Sequence, residues 1–200
     1  AGRCWLKYWS GCSKSLRRAN RMTPAASNPL VRLQPRLLEV PMVGVFPITL
    51  SEANTLLEDW GHRLGPVNRP FHSESFALEV DGQPVSVAVS ASIVSDHVAG
   101  WKRQEVVELA RLCSHPHYPW ATRLMLRLWR EVCAVRWKCW PVQASIAYSH
   151  NGHGDGGIYR FDGWEKAADN CGSTGGGAWS RRRYASDAVY GKKTLWVWRY

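Results

Sequence analysis

The chain has no long hydrophobic run. Its longest mostly apolar stretch, VSVAVSASIV at residues 85–94, is short and broken by serines, so nothing in it spans about 30 Å of hydrocarbon. No membrane partner is expected. The opening AGRCWLKYWSGCSKSLRR puts Trp, Tyr and Lys where a secretory signal carries its apolar core, which argues against export. The six cysteines, Cys4, Cys12, Cys113, Cys133, Cys139 and Cys171, form no CxxC pair and none of the dense spacing of disulfide-stapled domains. A soluble protein of the reducing cytoplasm is the expectation. Acidic residues are scarce: 16 Asp and Glu stand against 26 Lys and Arg, giving a formal charge of +10 and a pI near 9.6. Such a surface attracts polyanions, nucleic acid first among them, although nonspecific adhesion gives the same composition. With 200 residues and 45% hydrophobic content, the chain suffices for one sizeable core and not for two full domains.

Residues 1–37 differ from the rest. Trp5, Tyr8 and Trp9 stand among Arg17, Arg18 and Arg21 without period, and Pro24, Asn28 and Pro29 come after them. A tail is expected there, with residues 38–200 forming one domain. Met22 opens MTPAASNPLVRL, which reads like an ordinary bacterial amino terminus. Residues 1–21 are therefore expected to be upstream translation or a remnant of cloning, and a basic nucleic-acid arm is the alternative.

Within the domain, Thr49 or Ser51 caps a helix whose Ala53, Leu56, Leu57 and Trp60 recur at helical spacing, ending near Gly61. Residues 76–80 and 85–94 flank Asp81-Gly82 and predict a hairpin. Residues 105–113, EVVELARLC, alternate well enough for a third strand. The strongest periodic signal comes next: Ala121, Leu124, Met125, Leu128, Trp129, Val132 and Cys133 predict an amphipathic helix over residues 121–136. Its polar face carries Arg123, Arg127 and Arg130, with Arg127 and Glu131 spaced for an ion pair. Residues 142–149 predict a fourth strand; a glycine-rich stretch, a short helix and a final strand, TLWVWRY, complete the order.

A helix that starts directly after a strand offers unpaired N–H groups and a positive dipole end to an anion, here near Trp120 to Arg123, with Thr122 and Arg123 as side-chain donors. The bland alternative is that any βα unit has this geometry. The segments VELARLCSHPHYPWATRLMLRLWRE and ASIAYSHNGHGDGGIYRFDGW, together with their spacing, resemble the GNAT N-acyltransferases, and among them a mobile-element branch that includes the phage Mom DNA-modification proteins. The resemblance implies an α/β (α+β) fold: a GNAT-like central mixed sheet with a splayed parallel strand pair, flanked by helices. It also implies an acyltransferase that uses acetyl-CoA or a related donor to modify an amino group, with DNA adenine as the Mom-like acceptor. The donor pyrophosphate would lie at Leu112, Cys113, Ser114, Ala121, Thr122 and Arg123. The Gln/Arg-x-x-Gly-x-Gly/Ala loop general in the superfamily is absent; His117, Tyr118, Pro119 and Trp120 occupy its place, a departure shared by Mom-like proteins.

Under that resemblance Tyr159 is the candidate general acid, since a phenol stays protonated at neutral pH and can protonate a leaving thiolate. Tyr148 is able to exchange roles with it. His150, His153 and Asp155 cluster in the glycine-rich loop as candidate bases, and Glu108 is a further one, against the reading of a structural ion pair with Arg111. No metal is expected, because neither these residues nor Cys113 with His115 and His117 match a standard zinc spacing. Arg181, Arg182, Arg183, Lys192 and Lys193, interleaved with Trp179, Tyr184 and Tyr190, are the candidate nucleic-acid contacts. The rival function is a catalytically silent GNAT-like module that binds nucleic acid.

Overall fold

The structure, a computed structural model, describes residues 41–69, 72–151, 156–171 and 192–200. The expected tail lies outside them. Strand β1 (Val43–Ile48) leads into α1 (Leu50–Asp59), which begins at a capping box. Thr49 Oγ1 accepts from the Glu52 N–H at 3.2 Å, and the Glu52 carboxylate accepts from the Thr49 N–H at 2.7 Å. Strands β2 (Ser73–Val80) and β3 (Gln83–Ala91) form a hairpin turned at Asp81 and Gly82, with φ of 51° and 76°. Two positive φ angles are what a two-residue hairpin loop requires and Asp-Gly supplies. A small hairpin, β4 (His97–Val98) with β5 (Trp101–Lys102), turns the same way at Ala99 and Gly100. Then come β6 (Val106–Ser114), α2 (Ala121–Leu128), β7 (Ala144–His150), α3 (Gly157–Phe161), β8 (Glu165–Cys171) and β9 (Lys193–Arg199). No described helix is long and apolar enough to cross a membrane.

Seven strands form one mixed sheet in the order β1-β2-β3-β6-β7-β9-β8, in which β6 and β7 are parallel and the other neighbours antiparallel. Side chains alternate across it. On one face Ala121, Met125, Leu126 and Trp129 pack on Leu78, Ala88, Val107 and Leu109, with Tyr159, Trp164 and Trp196 extending that core. On the other face Ala53 and Leu57 of α1 cover Val87 and Val89, while Ile93 and the β4–β5 hairpin cover Val106, Ile146 and Val197. The described elements therefore cover both faces of the sheet around its central parallel pair.

That pair parts at one end. β7 pairs with β6 from Val106↔Ala144 to Leu109↔Ala147 and no further. Beyond that point β6 stays with β3 out to Ser114↔Ser86, and β7 stays with β9 out to His150↔Lys193. A bulge marks the start of the parting: Leu109 faces Ser90 and Arg111 faces Val89, which leaves Ala110 without an opposite residue. A bulge bends and twists its strand and reverses the alternation beyond it. Leu109 and Leu112 accordingly both point into the core under α2, although three residues apart.

Several expectations need correction. Residues 121–136 are helical in three pieces, since α2 widens into a π-helical turn at Trp129–Cys133 and ends in a 3-10 turn at Ala134–Arg136. A π turn inserts one extra residue and rotates the rest of the helix about its axis. Arg130, expected on the polar face, is only 8% exposed. Its Nε stands 3.2 Å from Asp162 Oδ2, an ion pair without hydrogen-bond geometry, and its guanidinium carbon lies 3.6 Å above the Trp198 ring. Arg127 pairs with Asp162 at 2.8 Å rather than with Glu131, which meets Arg130 instead. Two edge strands were not expected: β1 contains Pro47, tolerated where no further strand needs its N–H, and β8 is mostly exposed and polar.

Candidate active site

The parted ends of β6 and β7 open a cleft of about 490 Å³. Glu108, Leu109, Ala110, Arg111 and Leu112 of β6 line one side; Tyr148, Ser149 and His150 of β7 line the other. Gly156, Gly157, Ile158 and Tyr159 close it at the start of α3, and Lys193 of β9 and the segment after α1, including His62, Arg63, Leu64 and Arg69, complete the rim. Gly156 is required in this position. Its φ is +70°, and a Cβ there would lie 2.5 Å from the Trp196 indole.

Glu108 is 6% exposed and is held by a two-pronged bond from Arg69, Nη1 to Oε2 at 3.0 Å and Nη2 to Oε1 at 2.5 Å. The ion pair anticipated for Glu108 thus exists, with Arg69 in place of Arg111. Arg111 donates instead to four carbonyls: Ala110 at 2.8 Å, Gly65 at 3.1 Å, Leu64 at 3.4 Å and Pro66 at 3.5 Å. Burial, with the Arg69 charge beside it, pulls Arg111 down to about 10. Burial and the charges of Arg111 and Arg63 hold the His62 imidazole down at about 4, and its Nδ1 accepts from the Leu64 N–H at 3.3 Å.

Tyr159 is 8% exposed, its ring 5.4 Å from Trp164 edge-on and stacked 6.0 Å from Trp196. Burial and the Glu108 charge push its hydroxyl well above the usual phenol range. Tyr148 is 37% exposed and is pushed up to about 12, first by burial and then by Glu108. Both phenols therefore hold their protons at neutral pH.

The residues expected at the helix start lie apart from this cleft, except Leu112. Thr122 Oγ1 is 2.7 Å from Ser114 Oγ, which donates to Ser86 Oγ at 2.8 Å, tying the end of β6 to the first turn of α2. No side chain caps α2, whose preceding residue is Trp120. Trp120 and Tyr118 are 50% and 40% exposed, so the bulky loop turns outward, and Arg123 is exposed near Ala121, which is buried. Burial raises the Cys113 thiol. Among the described residues no three His, Cys, Asp or Glu side chains come together as metal ligands.

Tyr148, His150, Tyr159, Glu108, Leu112 and Lys193 are thus gathered around one cleft, while Lys192 is exposed just before β9. His153, Asp155, Arg181, Arg182 and Arg183 lie outside the described residues. Sequence reasoning missed His62, Arg63 and Arg69. Their segment, GHRLGPVNR, has no periodicity, and its basic residues were the only signal.

No family model matches the sequence, and no curated protein does. Solved structures do. The ribosomal-protein-S18-alanine N-acetyltransferase of Escherichia coli matches with a TM-score of 0.53 at 11% identity, over 79% of this chain and 94% of that one. A probable acetyltransferase of Staphylococcus epidermidis gives 0.52 at 10% identity, over 79% and 99%. Arabidopsis thaliana NAA60 in complex with acetyl-CoA gives 0.53 at 10% identity, over 79% and 98%. At such identities the likeness is one of architecture, and it agrees with the parted parallel pair: the chain has the GNAT acetyltransferase fold.

Proposed function

We propose that the protein is an N-acyltransferase that moves an acyl group from acetyl-CoA or a related thioester to an amino group. The observation that carries this reading is the cleft at the β6–β7 divergence, with Glu108 and Tyr159 on its walls. The chain fits such a donor. Among the described residues, 110–114 of β6 have no β7 partner, so that edge can take an extended ligand arm, although the Ala110 carbonyl already accepts from Arg111. The uncapped start of α2, with Thr122 and Arg123, offers N–H groups and a cation for phosphates. The bound thioester would supply an activated acyl carbonyl and a thiolate leaving group. Tyr159 is the proton source for that leaving group, its hydroxyl held protonated by burial. Glu108, the one carboxylate among the described cleft residues, accepts the amine proton, directly or through water, while Arg69 fixes its orientation. His150 is the alternative base on β7.

DNA adenine is the finer acceptor reading, favoured by the formal charge of +10 and by Arg63, Arg69, Arg111 and Lys193 around the cleft. The test is protein-dependent release of the CoA thiol, with mass analysis of nucleosides from DNA incubated with protein and acetyl-CoA. An acetylated nucleoside supports the DNA reading. Thiol release with unmodified DNA leaves the acyltransferase and removes that acceptor. No release with any amine favours a silent nucleic-acid-binding module.

A further inference from the structure

We propose that the acceptor of this cleft carries an anionic group, best a phosphate, close to its amine, and that Arg63, Arg111 and Lys193 bind it. The proposal rests on the acyltransferase reading for the word acceptor; the anion site itself rests on the charges around the cleft. Among the described lining residues four are permanent or near-permanent cations, Arg63, Arg69, Arg111 and Lys193, and one is a carboxylate, Glu108. Arg69 is committed to Glu108 through both prongs of its guanidinium. Three cations then face the cavity against no further described carboxylate. The carbonyls that hold Arg111 in place orient it without neutralising it.

His62, Arg111 and Lys193 are all displaced toward losing positive charge, each first by burial; Arg111 and Arg63 add to this at His62 and Arg69 adds to it at Arg111, while Glu108 opposes it at Arg111 and, ahead of the arginines, at Lys193. An anion placed among them would relieve the repulsion and receive charge-assisted hydrogen bonds from the Arg63 guanidinium, the Lys193 ammonium and the one Arg111 N–H not already given to a carbonyl. Of the residues assigned to the donor's phosphates Leu112 alone lines this cavity, and the two side-chain donors, Thr122 and Arg123, do not.

The test is calorimetric titration of the full chain with O-phosphoethanolamine and with ethanolamine, before and after saturation with acetyl-CoA. The phosphorylated probe should bind donor-saturated protein at least about 10-fold more tightly than ethanolamine. Lys193→Gln and Arg63→Gln should each lower that preference several-fold. Arg111→Gln should abolish it, but Arg111 also anchors residues 64–66, so the first two variants decide if it does not fold. Equal binding of the two probes, no binding of phosphoethanolamine up to about 10 mM, or binding only in the absence of acetyl-CoA overturns the proposal. Failure of the acyltransferase reading shows separately, as no heat from acetyl-CoA with the phosphate preference intact. A single-stranded oligodeoxynucleotide that displaces phosphoethanolamine assigns the phosphate to nucleic acid; one that does not assigns it to a small phosphorylated amine.

Discussion

Replacing Tyr159 by Phe removes one hydroxyl and keeps the ring. The contacts at 5.4 Å to Trp164 and 6.0 Å to Trp196 survive the change. Loss of one hydroxyl costs about 1 kcal/mol of stability, whereas Tyr159→Ala should cost about 3–5 kcal/mol, because the ring is part of the core under α2. General acid catalysis is worth about 100- to 10,000-fold in rate, which at 1.36 kcal/mol per decade is about 3–5 kcal/mol of barrier. The Phe variant should therefore melt within a few degrees of the parent and keep its donor affinity, yet turn over at least about 100-fold more slowly. The assay is CoA thiol release at saturating donor, beside a denaturant melt of the same preparation. Because burial and Glu108 raise the Tyr159 hydroxyl, its deprotonation should leave no mark on the rate up to about pH 9. Tyr148→Phe, on the more exposed wall, should cost less. Full turnover in Tyr159→Phe refutes the assignment and shifts the proton source to Tyr148, His150 or Asp155.

Gly156→Ala should destabilise the fold by about 1–3 kcal/mol, since it forces a Cβ into the Trp196 indole at a positive φ, and urea melts check this. Asp162→Ala should cost about 3 kcal/mol or more in the same melts, because it strips Arg130, whose side chain is 10% exposed, of its buried carboxylate partner and leaves it only the exposed Glu131. His62 predicts a pH dependence: the unfolded imidazole titrates near 6.5 and the folded one near 4, so as pH falls through that window the unfolded state binds more protons. Stability should drop between those limits by at most about 3 kcal/mol, and His62→Asn, which keeps an acceptor for the Leu64 N–H, should flatten the slope.

The elements legible from sequence have a strong local signature. The α1 cap at Thr49, the Asp81-Gly82 turn and the apolar stripe from Ala121 to Cys133 each name their structure through a residue that few alternatives tolerate. β1 and β8 carry no such signature, because an edge strand buries too little to impose alternation. Arg130 misleads for a different reason: its burial depends on Asp162 and Trp198, which are more than 30 residues away, and on a π turn that α-helical spacing does not anticipate. The cleft was half legible. Tyr148, His150, Tyr159 and Glu108 stand near turns and strand ends that draw attention, whereas Arg69 and His62 reach it from an aperiodic segment whose only clue is charge.

Thermal protection by acetyl-CoA tests the central claim most directly. Ligand at about 100 times its Kd adds about 2.7 kcal/mol, which for a domain of this size raises Tm by about 5–10 °C. The account predicts that rise with acetyl-CoA at constant ionic strength, and a smaller one in Arg123→Gln. A melting temperature unmoved by acetyl-CoA but raised by polyanion would contradict it.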